Sequence, residues 1–199
     1  MPFLLSAGAI VGVSIGGLFL ILIVSLLFWF VAKRNLFKRM EVKIEESASD
    51  IDVALTKRYD LLTKEYDVCK GYSKHENATL SEVTRMRQNP RQDEDGNIDI
   101  ERLSRLNHEL DLLSRDIHLT VEQYPDLKAN ALFLNLMETS KQVEDHLEST
   151  RRIYNSNVAR YNEEIVIFPS SIVAHMIHAK KRGLFQAEEK KKDDVSLKF

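Results

Sequence analysis

Residues 18–34 read LFLILIVSLLFWFVAKR, and this stretch decides the architecture of the chain. It is the densest part of an apolar run from Phe3 to Ala32 that contains no Asp, Glu, Lys or Arg. About 20 apolar residues in a helix are enough to cross a hydrocarbon core of about 30 Å. We therefore expect residues 1–32 to form an external tip and a single transmembrane helix.

Basic residues lie on only one side of this apolar run. A basic juxtamembrane segment, residues 33–43, follows it, whereas no Lys or Arg precedes it. The positive-inside rule therefore places the N-terminus outside and the rest of the chain in the cytoplasm, in a single-pass protein of the cell membrane. The expected anchors at the membrane interface are Trp29, Lys33, Arg34, Lys38 and Arg39.

A cleaved signal peptide is the alternative interpretation of the same run. Such a peptide has a basic region before a shorter apolar core and a cleavage site made of small residues. Here no basic residue comes first, the apolar run is longer, and bulky aromatic residues stand at its end. The sequence favours an anchor that stays on the protein.

Three glycines spaced by four lie in the outer half of this run, at Gly8, Gly12 and Gly16. Residues with this spacing share one helix face, and small side chains there let a second backbone approach closely. We expect this face to be a candidate site of helix packing in the membrane. The alternative is that small residues are simply common in transmembrane helices.

The rest of the chain is strongly charged. All 28 basic and 30 acidic residues lie after residue 32, and the net charge of the whole chain is −2. The apolar run excludes a purely soluble protein, and the charged remainder excludes a transporter with several spans. A near-neutral chain also lacks the basic face of a general nucleic-acid binder.

The charged part has the periodicity of helices. Apolar residues recur three and four positions apart in residues 40–88, 99–124 and 130–168, and no long stretch alternates as a strand does. Helices joined by short turns pack antiparallel. The expected fold is all-α, with the transmembrane helix followed by an antiparallel bundle of three long helices and a short fourth helix. We expect the bundle to span residues 44–178, followed by a charged, mobile tail at residues 179–199.

Turn and capping residues set the expected helix boundaries. Pro125 ends the second helix, and Asn130 caps the start of the third. Ser170 or Ser171 is expected to cap the short helix, which would run from residue 172 to residue 178. Gly71 falls inside the first helix, at a cost of about 1 kcal/mol relative to Ala.

Catalytic and metal-binding patterns are missing from the sequence. Cys69 lies on an apolar helix face and is interpreted as a small core residue rather than a reactive thiol. His175 and His178 stand three apart, but no third metal ligand is indicated. No glycine-rich phosphate loop occurs. We therefore expect a non-enzyme without a metal, a cofactor or a small-molecule substrate.

Several motifs, in order along the chain, resemble those of the bacterial LemA family. They are Asp50–Leu61, Lys70–Glu76, Tyr124–Asn130 with Phe133–Leu134, Arg151–Asn155 with Val158–Asn162, and Phe168–Pro169 with Phe185–Glu188. The resemblance implies a membrane-anchored helical bundle with an external N-terminus, a poorly defined function and no catalytic residues. One departure is the lack of a proline in Leu61–Tyr66, where members of the family have one.

Polar and aromatic residues within these motifs form a candidate interaction groove for an anionic or peptide partner. They are Arg58, Tyr59, Lys70, Tyr72, Arg151, Arg152, Tyr154 and Asn155. Surface salt bridges are the alternative role for the charged members of this set.

The function expected from the sequence is protein–protein interaction or scaffolding at the inner face of the membrane, without catalysis. The partners would be the lipid bilayer and another protein, and self-association into a homo-oligomer is one form of this hypothesis. The alternative is a protein that senses or remodels the membrane surface by binding anionic lipid. Nucleic acid is not expected as a partner.

Overall fold

The computed structural model describes residues 7–71, 81, 84–85 and 97–185, with side-chain surroundings from residue 12 onward. Within these residues the chain forms helices and no strand. The helices are α1 (Ala7–Lys70), α2 (Ile100–Gln123), α3 (Pro125–Lys128), α4 (Ala131–Val166) and α5 (Ser170–Met176). The prediction of an all-α fold, with an apolar N-terminal helix followed by packed helices, is confirmed.

Helix α1 contains both the apolar run and the first amphipathic helix, which the sequence treats as separate elements. It ends at Lys70, and Gly71 lies in the turn that follows. The predicted continuation of one helix through Gly71 is therefore wrong. Glycine is a poor helix former because it loses the most backbone freedom, and this favours an end at this point. Most of the remaining predicted helix, residues 72–80, lies outside the described residues.

Local capping determines where α2 and α4 begin. The side chain of Asp99 accepts a hydrogen bond from the Arg102 amide at 2.9 Å. Asn130 Oδ1 accepts from the Leu132 amide at 2.9 Å and from the Phe133 amide at 3.3 Å. Both predicted starts are confirmed, because these side chains satisfy amides that the first helical turn leaves unpaired.

The short helix α5 begins differently from the prediction. Pro169 occupies the N-cap position, and no side chain caps the helix. Ser170 is instead the first helical residue and is buried. The predicted serine cap is therefore wrong. The amides of Ser171 and Ile172, which an N-cap side chain would satisfy, donate instead to the Ile167 carbonyl at 2.8 Å and to the Pro169 carbonyl at 3.2 Å.

Contacts divide the chain into two compact units. The first unit contains residues 1–41 and 161–181, and the second contains residues 42–160 and 182–199. In the first unit the rings of Phe37 and Tyr161 pack edge to face, with centroids 5.9 Å apart. The Tyr161 hydroxyl also donates to Glu41 Oε1 at 3.2 Å.

The core of the second unit is built from the apolar stripes seen in the sequence. The buried apolar side chains include Ile44, Ile51, Leu55 and Leu62 from α1, Leu103, Leu110, Leu113 and Ile117 from α2, and Phe133, Leu147 and Val158 from α4. Two apolar residues of α4, Leu132 and Ile153, are instead more than half exposed. The buried face of α4 therefore includes Phe133, Leu147 and Val158 but not these two residues.

Within residues 12–71 and 97–185, no other segment covers the apolar part of α1. Val13, Leu18, Phe19 and Ile21 are each more than 60% exposed. Among the described residues, α1 is the one helix that is long and apolar enough to cross a membrane. A signal sequence near the N-terminus would also satisfy this criterion of length and composition.

Candidate functional site

A buried arginine connects three helices of the second unit. Arg58, on α1, is 8% exposed. Its Nη1 donates to Asn107 Oδ1 at 2.8 Å, and its Nη2 contacts Asp111 Oδ1 at 2.6 Å, both on α2. Its Nε lies 2.9 Å from Glu144 Oε2 on α4. All three guanidinium nitrogens therefore have partners within the chain.

A second arginine shares this network. Arg151, on α4, also donates through Nη2 to Asn107 Oδ1. Burial lowers the pKa of Arg151, and the nearby charge of Arg58 lowers it further, while Glu144 and Asp111 oppose the shift. The two cations are held together because the carboxylates of this network compensate for their charge.

The C-terminal segment returns to α4 beside Arg151. The amide and carbonyl of Phe185 pair with Asn155, whose Oδ1 accepts at 2.8 Å and whose Nδ2 donates at 3.0 Å. The Tyr154 hydroxyl donates to the Gly183 carbonyl at 3.0 Å, and burial raises its pKa to about 12. The Arg151 guanidinium lies 5.1 Å from the centre of the Phe185 ring, in a cation–π contact.

These contacts correct the predicted boundary of the mobile tail. Phe185 is 4% exposed, so residues 183–185 belong to the packed second unit. The charge composition of the C-terminal segment does not predict this packing, because it depends on hydrogen bonds to Tyr154 and Asn155, which are about 30 positions earlier in the sequence. The predicted tail beyond residue 185 lies outside the described residues.

A cleft of about 580 Å³ opens between α1, α2 and α4 of the second unit. Its lining residues are Arg58, Leu62, Glu65, Ser114, His118, Leu134, Met137, Glu138, Ser140, Lys141, Glu144 and Asp145. We refer to this set as the α1–α2–α4 cleft.

Glu65 is the most deeply buried carboxylate of the cleft. It is 4% exposed, and its Oε1 accepts a hydrogen bond of 2.5 Å from the Ser140 hydroxyl. Burial raises its pKa above the ordinary value, although the Ser140 hydrogen bond and the charges of His118 and Arg58 oppose the rise. The desolvation of the carboxylate therefore outweighs the hydrogen bond and the two charges.

The charge of the cleft favours a cationic rather than an anionic partner. Four carboxylates line it against two cations, Lys141 and Arg58, and Arg58 is already paired with Asp111 and Glu144. Leu134 is 52% exposed and supplies apolar surface at the opening. The arrangement is suited to a segment that presents both apolar and basic side chains.

The residues of the predicted groove lie in several places. Arg58 and Arg151 come together through Asn107, while Tyr154 and Asn155 hold the C-terminal segment. Away from these, the Tyr59 hydroxyl lies 3.0 Å from Thr84 Oγ1, Lys70 is exposed, and exposed Arg152 pairs with Glu148 at 3.5 Å. Tyr72 lies outside the described residues. The binding role of this set stays a prediction.

The predicted interface anchors surround the end of the apolar run. Lys33 is half-buried and pairs with Glu164 at 3.2 Å, and Lys38 pairs with Glu41 at 2.7 Å. Arg34 and Arg39 are exposed, and Trp29 is half-buried.

The glycine face of α1 is open at the positions whose surroundings are described. A Cβ added at Gly12 or at Gly16 would meet no atom within 4 Å. The surroundings of Gly8 lie outside the described residues. Packing of a second helix on this face stays a prediction.

Cys69 is buried at 4% exposure, and burial raises its pKa to about 11, with a further contribution from the charge of Glu65. A thiol with this pKa is almost fully protonated at neutral pH and therefore a poor nucleophile. The prediction that Cys69 is a core residue is confirmed. Among the described residues, His, Cys, Asp and Glu form no cluster that could hold a metal ion.

Sequence reasoning missed the cleft and its central carboxylate. The available signal was that Arg58 and Glu65 interrupt an otherwise apolar helix face, since charged residues on such a face need buried partners. Their partners, Asn107 and Ser140, belong to common residue types on other helices, so nothing local identifies them.

We expect Glu65→Gln to stabilise the chain at neutral pH. The folded-state pKa of Glu65 is raised, so folding favours its protonated form, and stability falls as pH rises from the ordinary glutamate value through the folded one. A neutral Gln has no charge to desolvate, and its side-chain oxygen can still accept the hydrogen bond from the Ser140 hydroxyl. Urea unfolding of the full chain in detergent should show a higher midpoint for the variant at pH 7, and a smaller difference near pH 4.

Glu138→Gln is the matched control, because Glu138 lines the same cleft but is exposed. Its unfolding midpoint should stay close to that of the unchanged chain at both pH values. Equal midpoints for Glu65→Gln and the unchanged chain at pH 7 would contradict the argument from burial.

Comparisons with known proteins agree with the motifs noted above. The family model described as LemA family matches residues 47–199 of this chain. A protein named Protein LemA, from Metamycoplasma hominis, is 32% identical to it over 181 residues, which cover 89% of this chain and 80% of the relative. Both matches include α2, α4 and α5 of the structure.

Proposed function

The chain belongs to the LemA family, and from this premise we propose that it is a single-pass protein of the cell membrane that binds another protein at the cytoplasmic face. The N-terminus lies outside, and the second unit lies in the cytoplasm. The role is recruitment or scaffolding rather than catalysis. The partner is another protein or a second copy of this chain.

The observation that carries the membrane part of this proposal is the exposed apolar run of α1. Leu18, Phe19 and Ile21 expose more than 60% of their surface, and no part of the chain that the structure describes covers them. Soluble proteins rarely leave so large an apolar surface in water. We propose that a bilayer covers it, and the basic residues that follow support a cytoplasmic position for the second unit.

The α1–α2–α4 cleft supports the interaction part of the proposal. It combines exposed Leu134 with the carboxylates of Glu138, Glu144 and Asp145. Helical segments with apolar and basic faces dock into grooves of this kind, with apolar anchors in the groove and charges at the rim. We propose that the partner presents such a segment.

Site-specific photo-crosslinking in cells tests this function. A benzoylphenylalanine in place of Met137 lies in the cleft, whereas one in place of Asn135 lies on α4 outside the lining set. We expect the first position to yield a discrete crosslinked product whose second component has an amphipathic basic segment. The second position should not yield this product.

Identification of the crosslinked peptide decides between partner types. A peptide from another protein, or from this chain in a product of twice the mass, supports the proposal. The same set of products from both positions, or no product from the cleft, would contradict it.

A further inference from the structure

An exposed apolar patch lies where α4 turns into α5. Its members are Val166, Ile167, Phe168, Ile172 and Met176, and all of them belong to the first unit. Phe168 is 76% exposed and Met176 is 61% exposed. We call this set the α4–α5 patch.

Helix α5 has one buried face, and the patch includes residues of its exposed face. Ser170, Val173 and Ala174 form the opposite face of α5, and they are 2%, 0% and 2% exposed. The side chains of Ile172 and Met176, four residues apart, share the outward face of the helix. The fold therefore holds these apolar side chains outward in a fixed arrangement.

Contacts within the first unit locate this patch along α1. Lys33 pairs with Glu164, and Phe37 packs on Tyr161. The residue on α1 with the higher number contacts the residue on α4 with the lower number, so the two helices run antiparallel here. The chain that continues past Glu164 to Phe168 therefore runs toward the apolar part of α1.

The distance along α1 places the patch near the expected membrane surface. Phe168 comes four residues after Glu164, and Trp29 comes four residues before Lys33. Four helical residues span about 6 Å, although α4 itself ends at Val166. Phe168 therefore lies on the side of Lys33 where the aromatic end of the apolar run begins, and Ile172 and Met176 follow it in the same unit.

Basic side chains accompany the patch in the same unit. Arg34 and Arg39 are exposed on α1, and Lys180 and Lys181 are exposed after α5. Apolar side chains with a basic surround are typical of segments that lie in the interface of membranes with anionic lipids. A protein partner would not need the patch to stand beside the end of a transmembrane helix.

We propose that the α4–α5 patch is a second membrane contact, which inserts its apolar side chains into the lipid–water interface beside α1. Phe168 enters between the lipid headgroups, and the neighbouring lysines and arginines bind the phosphates of anionic lipids. The chain is then fixed to the membrane at two places, and the first unit keeps one orientation at the surface. This inference depends on the proposed membrane anchoring of α1.

Spin labels report the depth of each position in a bilayer. The full chain with Cys69→Ala is reconstituted in vesicles of phosphatidylcholine and phosphatidylglycerol, and a nitroxide is attached at Phe168→Cys. Leu22→Cys serves as the reference inside the span, and Leu119→Cys, which is 53% exposed on α2, serves as the control in the second unit. Collisions with oxygen, which concentrates in lipid, are compared with collisions with a water-soluble nickel chelate.

We expect the oxygen-to-nickel collision ratio at Phe168 to be several-fold higher than at Leu119 and lower than at Leu22. Met176→Cys should give the same result, and it carries the test if Phe168→Cys does not fold. The ratio at Phe168 should also fall when phosphatidylglycerol is omitted and salt is raised, because the basic contribution is screened.

The other outcomes are distinct from one another. A water-like ratio at Phe168 with a lipid-like ratio at Leu22 overturns this inference and leaves the anchor in place. Water-like ratios at both positions overturn the anchor as well. Protection of Phe168 from both reagents shows that protein covers the patch, and this also overturns the inference.

Discussion

The full chain is expected to leave the membrane fraction when Leu20, Ile23 and Leu26 are all replaced by Asp. These side chains are 64%, 41% and 56% exposed. Each Asp near the centre of a span costs about 3 kcal/mol for insertion, so three of them outweigh the favourable contribution of the remaining apolar residues. Fractionation of cells that express the variant, with detection of a C-terminal tag, measures the effect.

The matched control replaces the same three residues with Ala, which keeps the segment apolar and helical. This control should stay in the membrane fraction. The intact mass of the unchanged protein, purified from membranes, should include residues 1–32. A mass that begins after them, or an Asp variant that stays in the membrane fraction, would contradict the anchor.

The starts of α2 and α4, which neighbouring residues determine, could be predicted from the sequence, whereas the local predictions at Gly71 and at the start of α5 were wrong. The start of α2 at Asp99 and the start of α4 after Asn130 follow from capping, which involves only the next three residues. The buried face of α2 follows from one periodicity, since Leu103, Leu110 and Leu113 repeat at helical spacing.

Features that depend on distant residues could not be predicted in the same way. The pairing of Phe185 with Asn155 joins positions 30 apart, and the pairing of Arg58 with Asn107 joins positions 49 apart. Neither pair leaves a periodic signal in the sequence. The charged composition near the C-terminus even favoured a tail that would include Phe185.

The α4–α5 patch shows a different limit of sequence reasoning. Ile167 and Phe168 continue an apolar series on α4, and such a series usually marks a buried face. In the structure the helix ends at Val166, and the two following side chains are 47% and 76% exposed. Apolar residues at these positions would be buried if α4 continued, but they are exposed because α4 ends before Pro169.

Replacement of Arg58 by Met is expected to lower the free energy of unfolding by about 3 kcal/mol, which is about a hundredfold in the folded-to-unfolded ratio. Met keeps most of the apolar stem but removes a guanidinium with partners on two other helices. The loss removes the cation that is paired directly with Asp111 and Glu144, while Arg151 still interacts with the charges of both carboxylates. The side chains of these carboxylates are 28% and 44% exposed, so water partly solvates their charges. The expected destabilisation is therefore near the lower end of the range found when one partner of a buried ion pair is removed.

The exposed pair of Arg152 and Glu148 supplies the matched comparison, because both side chains are more than 60% exposed. Arg152→Met should cost less than about 1 kcal/mol, since water replaces most of what an exposed ion pair contributes.

Urea unfolding of the full chain in detergent, followed by circular dichroism, measures both variants. Equal losses for the two arginines would mean that the network around Arg58 contributes no more than a surface pair. A larger loss at Arg58 that shrinks when Asp111 is replaced by Asn in the same chain would show that the cost comes from the uncompensated carboxylate.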